Sequence, residues 1–347
     1  MLIYTEEYVS DLIQIQNVIT NLNKLKDAKV LITGAGGMIG SALVDFLLEL
    51  NTQKNLNICI YVAARDYRKI ENRFGSMMNE KNFFFLKYDA LQPLNADVHF
   101  DYIIHAASNA NPSSYMKQPV ETMLTNIIGV KSLLDYANST KIKRIVFVSS
   151  SEVYGKKDDE KPYRENEYSF LDILNPRACY PSSKRAAETL CAAYHQEYGI
   201  DYVIVRPGHV YGPTMTDTDN RASSQFPRDV LNGKDIVMKS MGTQMRSYCY
   251  VLDCVSAIIS AMLNGVSGNA YNISNKNSIV TIREMAECFA RAAGKKVIFE
   301  VPSKMEQSSY NLMDNCSLSS EKIEALGWKG IFDLQRGSER TLMCYKI

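Results

Sequence analysis

The 347-residue sequence contains no run of about 18 uncharged apolar residues, so no segment is expected to cross a membrane as a helix. It has no excess of either charge. Its 39 Lys and Arg against 38 Asp and Glu give a formal charge of +1, too little to neutralise a nucleic-acid backbone or hold an anionic membrane surface. The opening residues lack the basic start of a secretion signal: Glu6, Glu7 and Asp11 all precede the first base, Lys24. The eight cysteines are scattered, with no C-x-x-C and no Cys/His cluster. That argues against zinc and disulfides and for reduced thiols. No metal, nucleic acid or membrane partner is expected, and a cytoplasmic location is.

What is present is periodicity of two kinds. Tyr8, Leu12, Ile15, Ile19 and Leu22 recur at helical spacing and predict one apolar face over residues 5–25. This is a helix that packs on the fold or on a second copy. From Ala28 the texture becomes strand–helix alternation. Strands are expected at Lys29–Thr33, Ile58–Ala63, Phe83–Tyr88, Tyr102–His105, Arg144–Ser149 and Tyr202–Arg206, with helices around 38–50, 115–139 and 180–198. The pattern predicts an α/β fold with a doubly wound parallel sheet of Rossmann type. After Pro207 it loosens. The expected organisation is a helical extension (1–25), a dinucleotide-binding domain (26–207) and a smaller α/β substrate-binding lid (208–347), some segments of which return to the first domain.

Val30–Thr33 runs into Gly34, Ala35, Gly36, Gly37, Met38, Ile39 and Gly40, and then a helix. Glycines at 34, 37 and 40 allow a sharp turn, close approach of backbone to a pyrophosphate, and tight helix–strand packing; the helix N-terminus then faces the phosphates. The second strand ends in Ala63, Ala64, Arg65 and Asp66. An acid at this point binds a ribose hydroxyl and selects NAD, whereas Arg65 pairs with a 2′-phosphate and favours NADP. The cofactor is thus NAD or NADP, with Arg65 inclining the choice to NADP. Asp89 is positioned to accept from the adenine amino group or to close a turn. Ala106, after the strand at 102–105, completes the cofactor set.

Arg144–Gly155 reads as a buried strand ending in Ser149, Ser150, Ser151 and Glu152, at the strand end where ligands of such sheets sit. Tyr180 and Lys184, four apart at the start of a helix, share one face. An ammonium beside a phenol favours the phenolate and is expected to lower a pKa near 10 by roughly 1–3 units. The pair would then act as a tuned acid–base couple.

In this order TGAGGMIG, SSSEVYG and YPSSK resemble the extended short-chain dehydrogenase/reductases that modify nucleotide sugars, over about residues 28–335. The segment Arg177–Tyr180, the run Ala187–Leu190 and Arg206–Pro207 resemble the UDP-glucuronate decarboxylase and sugar 4,6-dehydratase branch. The resemblance implies a homodimer acting on a nucleotide-diphosphate sugar. Ser150 would bond the sugar O4, and Tyr180 would take its proton as the C4 hydride passes to the nicotinamide. Lys184 would hold the nicotinamide ribose, and Glu152 would act near C5. Arg246, assisted by Arg221, would grip the diphosphate unless it is a surface ion-pair partner. The sequence departs from the family in three places. Ser151 stands where dTDP-glucose dehydratases carry aspartate. The late segment Tyr310–Leu318 lacks the decarboxylases' arginine. His209 replaces an asparagine that contacts the diphosphate, or is a packed loop residue.

These features favour a 4,6-dehydratase-like or decarboxylase-like reaction. A 4-keto-sugar reductase, favoured by Arg65, or a 4-epimerase is the alternative, and a non-catalytic dinucleotide sensor is a remote one.

Overall fold

The computed structural model describes residues 4–157, 159–217, 219–301 and 313–345. Strands β1 (Lys29–Thr33), β2 (Cys59–Ala64), β3 (Phe83–Lys87), β4 (Tyr102–His105), β5 (Arg144–Val148) and β6 (Tyr202–Pro207) follow the expected ranges to within a residue. Next come β7 (His209–Tyr211), β8 (Ile236–Met238), β9 (Met245–Tyr250) and β10 (Asn269–Ile273). Seven of these form one parallel sheet in the order β10-β6-β5-β4-β1-β2-β3. The order reverses beside β1, so a crevice opens at the carboxyl ends of β1 and β4, where such sheets take ligands.

The strands are apolar along nearly their whole length because both faces are covered. Val30 and Ile32 of β1 point into one core with helices α1 (Glu6–Gln14), α2 (Met38–Lys54) and α8 (Val251–Asn264). Leu31 points into the other, with α5 (Pro119–Thr140) and α6 (Cys179–Tyr198). The helix expected over 115–139 is divided: α4 (Pro112–Lys117) stops before Pro119, which opens α5 at a position where its missing N–H costs nothing. Past Pro207, β10 returns to the sheet and pairs with β6. A second, smaller sheet joins β9 to β7, β11 (Ile279–Thr281) and β13 (Asn315–Cys316), and β8 pairs with β12 (Val297–Phe299). Residues 310–312 of the late segment named above lie outside the described residues.

The predicted helix over 5–25 is broken. It is capped by the Thr5 hydroxyl, ends at Gln14 and gives way to short 3₁₀ turns at Ile15–Val18 and Leu22–Leu25, with Asn21 at φ +62° between them. The apolar stripe is nevertheless buried in this chain's own core, so it packs on the fold rather than on a second copy. Asp11 is fully buried. It accepts from Arg340 and the Tyr250 hydroxyl. The Tyr8 hydroxyl donates to Asp45 of α2, which also pairs with Arg73. All eight cysteines are free thiols. Among the described residues, no helix is long and apolar enough to cross a membrane.

Candidate active site

The loop from β1 to α2 is shaped by what a side chain would strike. Gly34 has φ +72°, and a Cβ there would lie 2.6 Å from the Ala107 nitrogen and 2.7 Å from the Ala106 carbonyl. At Gly40 it would lie 2.3 Å from the Gly34 oxygen. These two glycines therefore serve the joint between strand and helix. Gly37 differs. It is the N-cap of α2 in extended conformation, without side-chain capping, and a Cβ would meet only the Gly34 oxygen, at 3.3 Å. The N–H groups of Met38, Ile39 and Gly40 follow at the helix N-terminus, which suits a pyrophosphate. The Met38 carbonyl accepts from Thr214, tying the loop to the later segment. These residues fit a dinucleotide.

At the tip of β2, Asp66 caps α3 (Tyr67–Phe74) by accepting from the Arg68 N–H. Arg65 is exposed and forms no ion pair among the described residues. Asp89 closes a turn by accepting from the Leu91 N–H. Ala106 is partly buried, and its N–H donates to the Thr33 carbonyl.

Tyr180 and Lys184 share the buried first turns of α6. The Lys184 ammonium donates to the Val148 carbonyl at 2.8 Å and lies 4.6 Å from the Phe147 ring centroid and 5.9 Å from that of Tyr180. Burial pulls its pKa down to about 7, against the attraction of Glu188. Contrary to the sequence expectation, the Tyr180 pKa is raised to about 12, first by burial and then by the Glu152 charge; the Ser150 and Ser108 hydroxyls and Arg221 act the other way. Loss of water and the Glu152 charge outweigh the hydroxyls and the guanidinium.

Ser150 caps the 3₁₀ turn Ser151–Tyr154 by accepting from the Glu152 N–H. Arg185 of α6 fastens the turn by donating to the carbonyls of Val153, Tyr154 and Ser169. Gly155, at φ +76°, leaves the turn where a Cβ would lie 2.3 Å from the Phe170 oxygen. Glu152 is thereby held near Tyr180, its side chain only 18% exposed. Burial raises its pKa, and Arg177, Arg246 and Arg221 oppose the rise. Ser151 is buried beside Cys316.

Arg246, on β9, is buried and donates to the Met245 and Asp314 carbonyls, so it is not a surface ion-pair partner. Arg221 is gripped by both oxygens of Asp219. His209, on β7, has a pKa lowered to about 3 by burial and by Arg246 and Arg221, and its Nδ1 is enclosed without a hydrogen bond.

Sequence reasoning missed several neighbours. Ser108 donates to Asn126, Asn126 to Ser183, and Ser183 to the Tyr180 carbonyl. Tyr115 stacks on Tyr180, and Arg177 lies 3.6 Å from Glu152. An asparagine inside the apolar pattern of α5 was the one available signal; the others come together only through tertiary packing.

A family model described as the NAD dependent epimerase/dehydratase family matches residues 30–274. UDP-glucuronic acid decarboxylase 3 of Arabidopsis thaliana is 33% identical over 313 residues, covering 89% of this chain and 86% of that protein. The dTDP-D-glucose 4,6-dehydratase of Dictyostelium discoideum is 27% identical over 367 residues, covering 94% and 83%. The solved structure of UDP-glucuronic acid 4-epimerase from Bacillus cereus, in complex with UDP-glucuronic acid and NAD, has a TM-score of 0.77 at 24% identity, covering 91% and 98%. It shares the fold. The class defined by this family model, on a Rossmann-type sheet with its glycine loop, is that of NAD(P)-dependent enzymes. Within it, this chain belongs to the NAD-dependent epimerase/dehydratase family.

The two kinds of glycine separate experimentally. Gly37→Asp should leave the protein folded and weaken dinucleotide binding by about a hundredfold or more, because a carboxylate would occupy the pyrophosphate position. Gly40→Ala should instead lower the melting temperature. Dinucleotide titration and thermal unfolding of both variants check this, and unchanged affinity in Gly37→Asp would remove the assigned site.

Proposed function

We propose that this enzyme binds a nucleotide-diphosphate sugar, oxidises it at C4 and continues at C5, in a 4,6-dehydratase-like or decarboxylase-like reaction. The observation that carries this reading is Glu152, a mostly buried carboxyl fixed beside Tyr180 and surrounded by Arg177, Arg221 and Arg246. When bound, NAD(P) supplies the acceptor for the C4 hydride. Ser150 orients O4, and Tyr180 takes its proton once the phenol has released its own to solvent, a loss that the Ser150 and Ser108 hydroxyls and Arg221 favour. Lys184, anchored on Val148, holds the face of α6 on which the phenol sits. A ketone at C4 acidifies the C5 proton, and Glu152 is the base poised to accept it; burial raises its basicity, and the guanidinia of Arg177, Arg246 and Arg221 oppose the rise. A C5 carboxylate would be destabilised by the same ketone. Arg177, Arg221 and Arg246 against Glu152 and Asp219 leave one net positive charge, which suits a diphosphate, with His209 as a further donor.

Arg65 supports a second reading. With Asp66 engaged in capping, it is the residue at the β2 tip suited to a 2′-phosphate, and a preference for NADP would fit net reduction of a 4-keto sugar. We place the homodimer contact on α5, where Val120, Met123 and Leu124 are exposed together.

Three outcomes are expected. Glu152→Gln should still oxidise C4, seen as nicotinamide absorbance, while turnover falls about 10²- to 10⁴-fold and exchange of the C5 proton with solvent deuterium falls with it. Wild-type turnover with no deuterium at C5 and no release of water or CO₂ would establish the reductase or epimerase reading instead. Arg65→Ala should weaken NADP by about tenfold more than NAD; equal losses reject the phosphate role. Leu124→Asp should sediment as a monomer, and an unchanged species would place the contact elsewhere.

A further inference from the structure

Two buried donors beside Glu152 have no acceptor. Tyr115 is fully buried on α4, its ring parallel to that of Tyr180, with centroids 5.4 Å apart and planes 11° apart. Its hydroxyl is enclosed and makes no hydrogen bond among the described residues. The Arg177 guanidinium lies 5.8 Å from the centre of the Tyr115 ring, and its Nε is likewise enclosed without a partner. Its contact with Glu152, at 3.6 Å, is longer than a hydrogen bond. Nothing in the packing forces these groups together for stability alone, since buried donors left without acceptors are unfavourable. Two of them converging on a carboxyl and a phenol of the candidate site point to a ligand atom. The segment carrying Arg177 is also tied to α4, because the Cys179 thiol donates to the Tyr115 carbonyl at 3.7 Å. The two donors therefore sit on one support.

Their neighbours locate the ligand atom. Tyr115 stacks on the residue assigned to O4, and Arg177 adjoins the residue assigned to C5. In a pyranose, the substituent reached from both is the exocyclic C6. Both groups donate: the guanidinium has no lone pair to offer, and burial and Glu152 keep the Tyr115 phenol protonated. We propose that Tyr115 and Arg177 form the subsite that recognises an oxygen on C6 of the sugar, as a hydroxyl or a carboxylate, and so select hexose-type over pentose-type substrates. The inference rests on the nucleotide-sugar reading above.

The test uses the full chain with NAD or NADP bound, in a Tyr180→Phe background that halts turnover and retains the stacked ring. Calorimetry measures binding of the glucose and xylose esters of UDP, dTDP and GDP, which differ in the presence of C6 and its oxygen. The parent should bind the glucose ester of one nucleotide about tenfold or more tighter than the matching xylose ester. Tyr115→Phe and Arg177→Gln should each reduce that preference about tenfold, with unfolding midpoints recorded to confirm that both fold. A parent with no preference, or a preference unchanged in both variants while the esters still bind, overturns the subsite. Failure of every ester to bind the parent overturns the nucleotide-sugar reading itself.

Discussion

Arg206 and Glu188 meet in an ion pair nearly sealed from water, with side chains 2% and 10% exposed, and the strand end before Ser150, the helix of Tyr180 and Lys184 and the turn holding Glu152 are joined through it. Glu188 lies one helical turn beyond Lys184 and two beyond Tyr180. It also accepts from Ser149, the residue before Ser150. Arg206 bonds Glu188 through two nitrogens and donates further to the Tyr154 hydroxyl, the Glu165 carbonyl and the Tyr168 hydroxyl. A pair this deep is tolerable only when its remaining donors and acceptors are met. Meeting them fixes β5, β6, α6 and the loop after the Ser151–Tyr154 turn relative to one another. The distance between the phenol and the carboxyl is therefore set behind the site, by residues that touch no ligand.

The same dryness governs the chemistry. Burial opposes both charged forms, raising Tyr180 to about 12 and lowering Lys184 to about 7. In the free protein the phenol therefore stays protonated, and the attraction between neighbours is the smaller effect. A pairwise reading of Tyr180 and Lys184 four residues apart captures their shared face and omits the solvent that packing removes.

That contrast describes what was legible in advance. The strands, the glycine turn and the α6 pair are local: each is written in contiguous residues whose spacing matches a helix or strand, and each appears in the structure within a residue or two. β10 was less visible because Asn269–Ile273 carries two asparagines in place of an apolar run. The break before Pro119 was visible in principle and was outweighed by periodicity on both sides. Tyr115, Arg177 and Ser108 come from separate segments and meet only after the sheet has stacked its helices, so no spacing along the chain announces them. Arg246 and His209 were named through likeness alone; their burial on β9 and β7 could not be read from the chain.

The ties of α1 bear on how the chain is made. Asp11 is synthesised well before its guanidinium partner, Arg340, which emerges 329 positions later. Domains tend to fold from the N-terminal side during synthesis, yet here an early carboxylate has its burial compensated by residues that follow much later, Tyr250 and the charged Arg340. Helix α1 must therefore wait, solvated or loosely docked on α2, until Arg340 has been translated. Its locking is a late event in biogenesis, and a ribosome stalled before Arg340 would hold a chain with the sheet assembled and this helix unlatched.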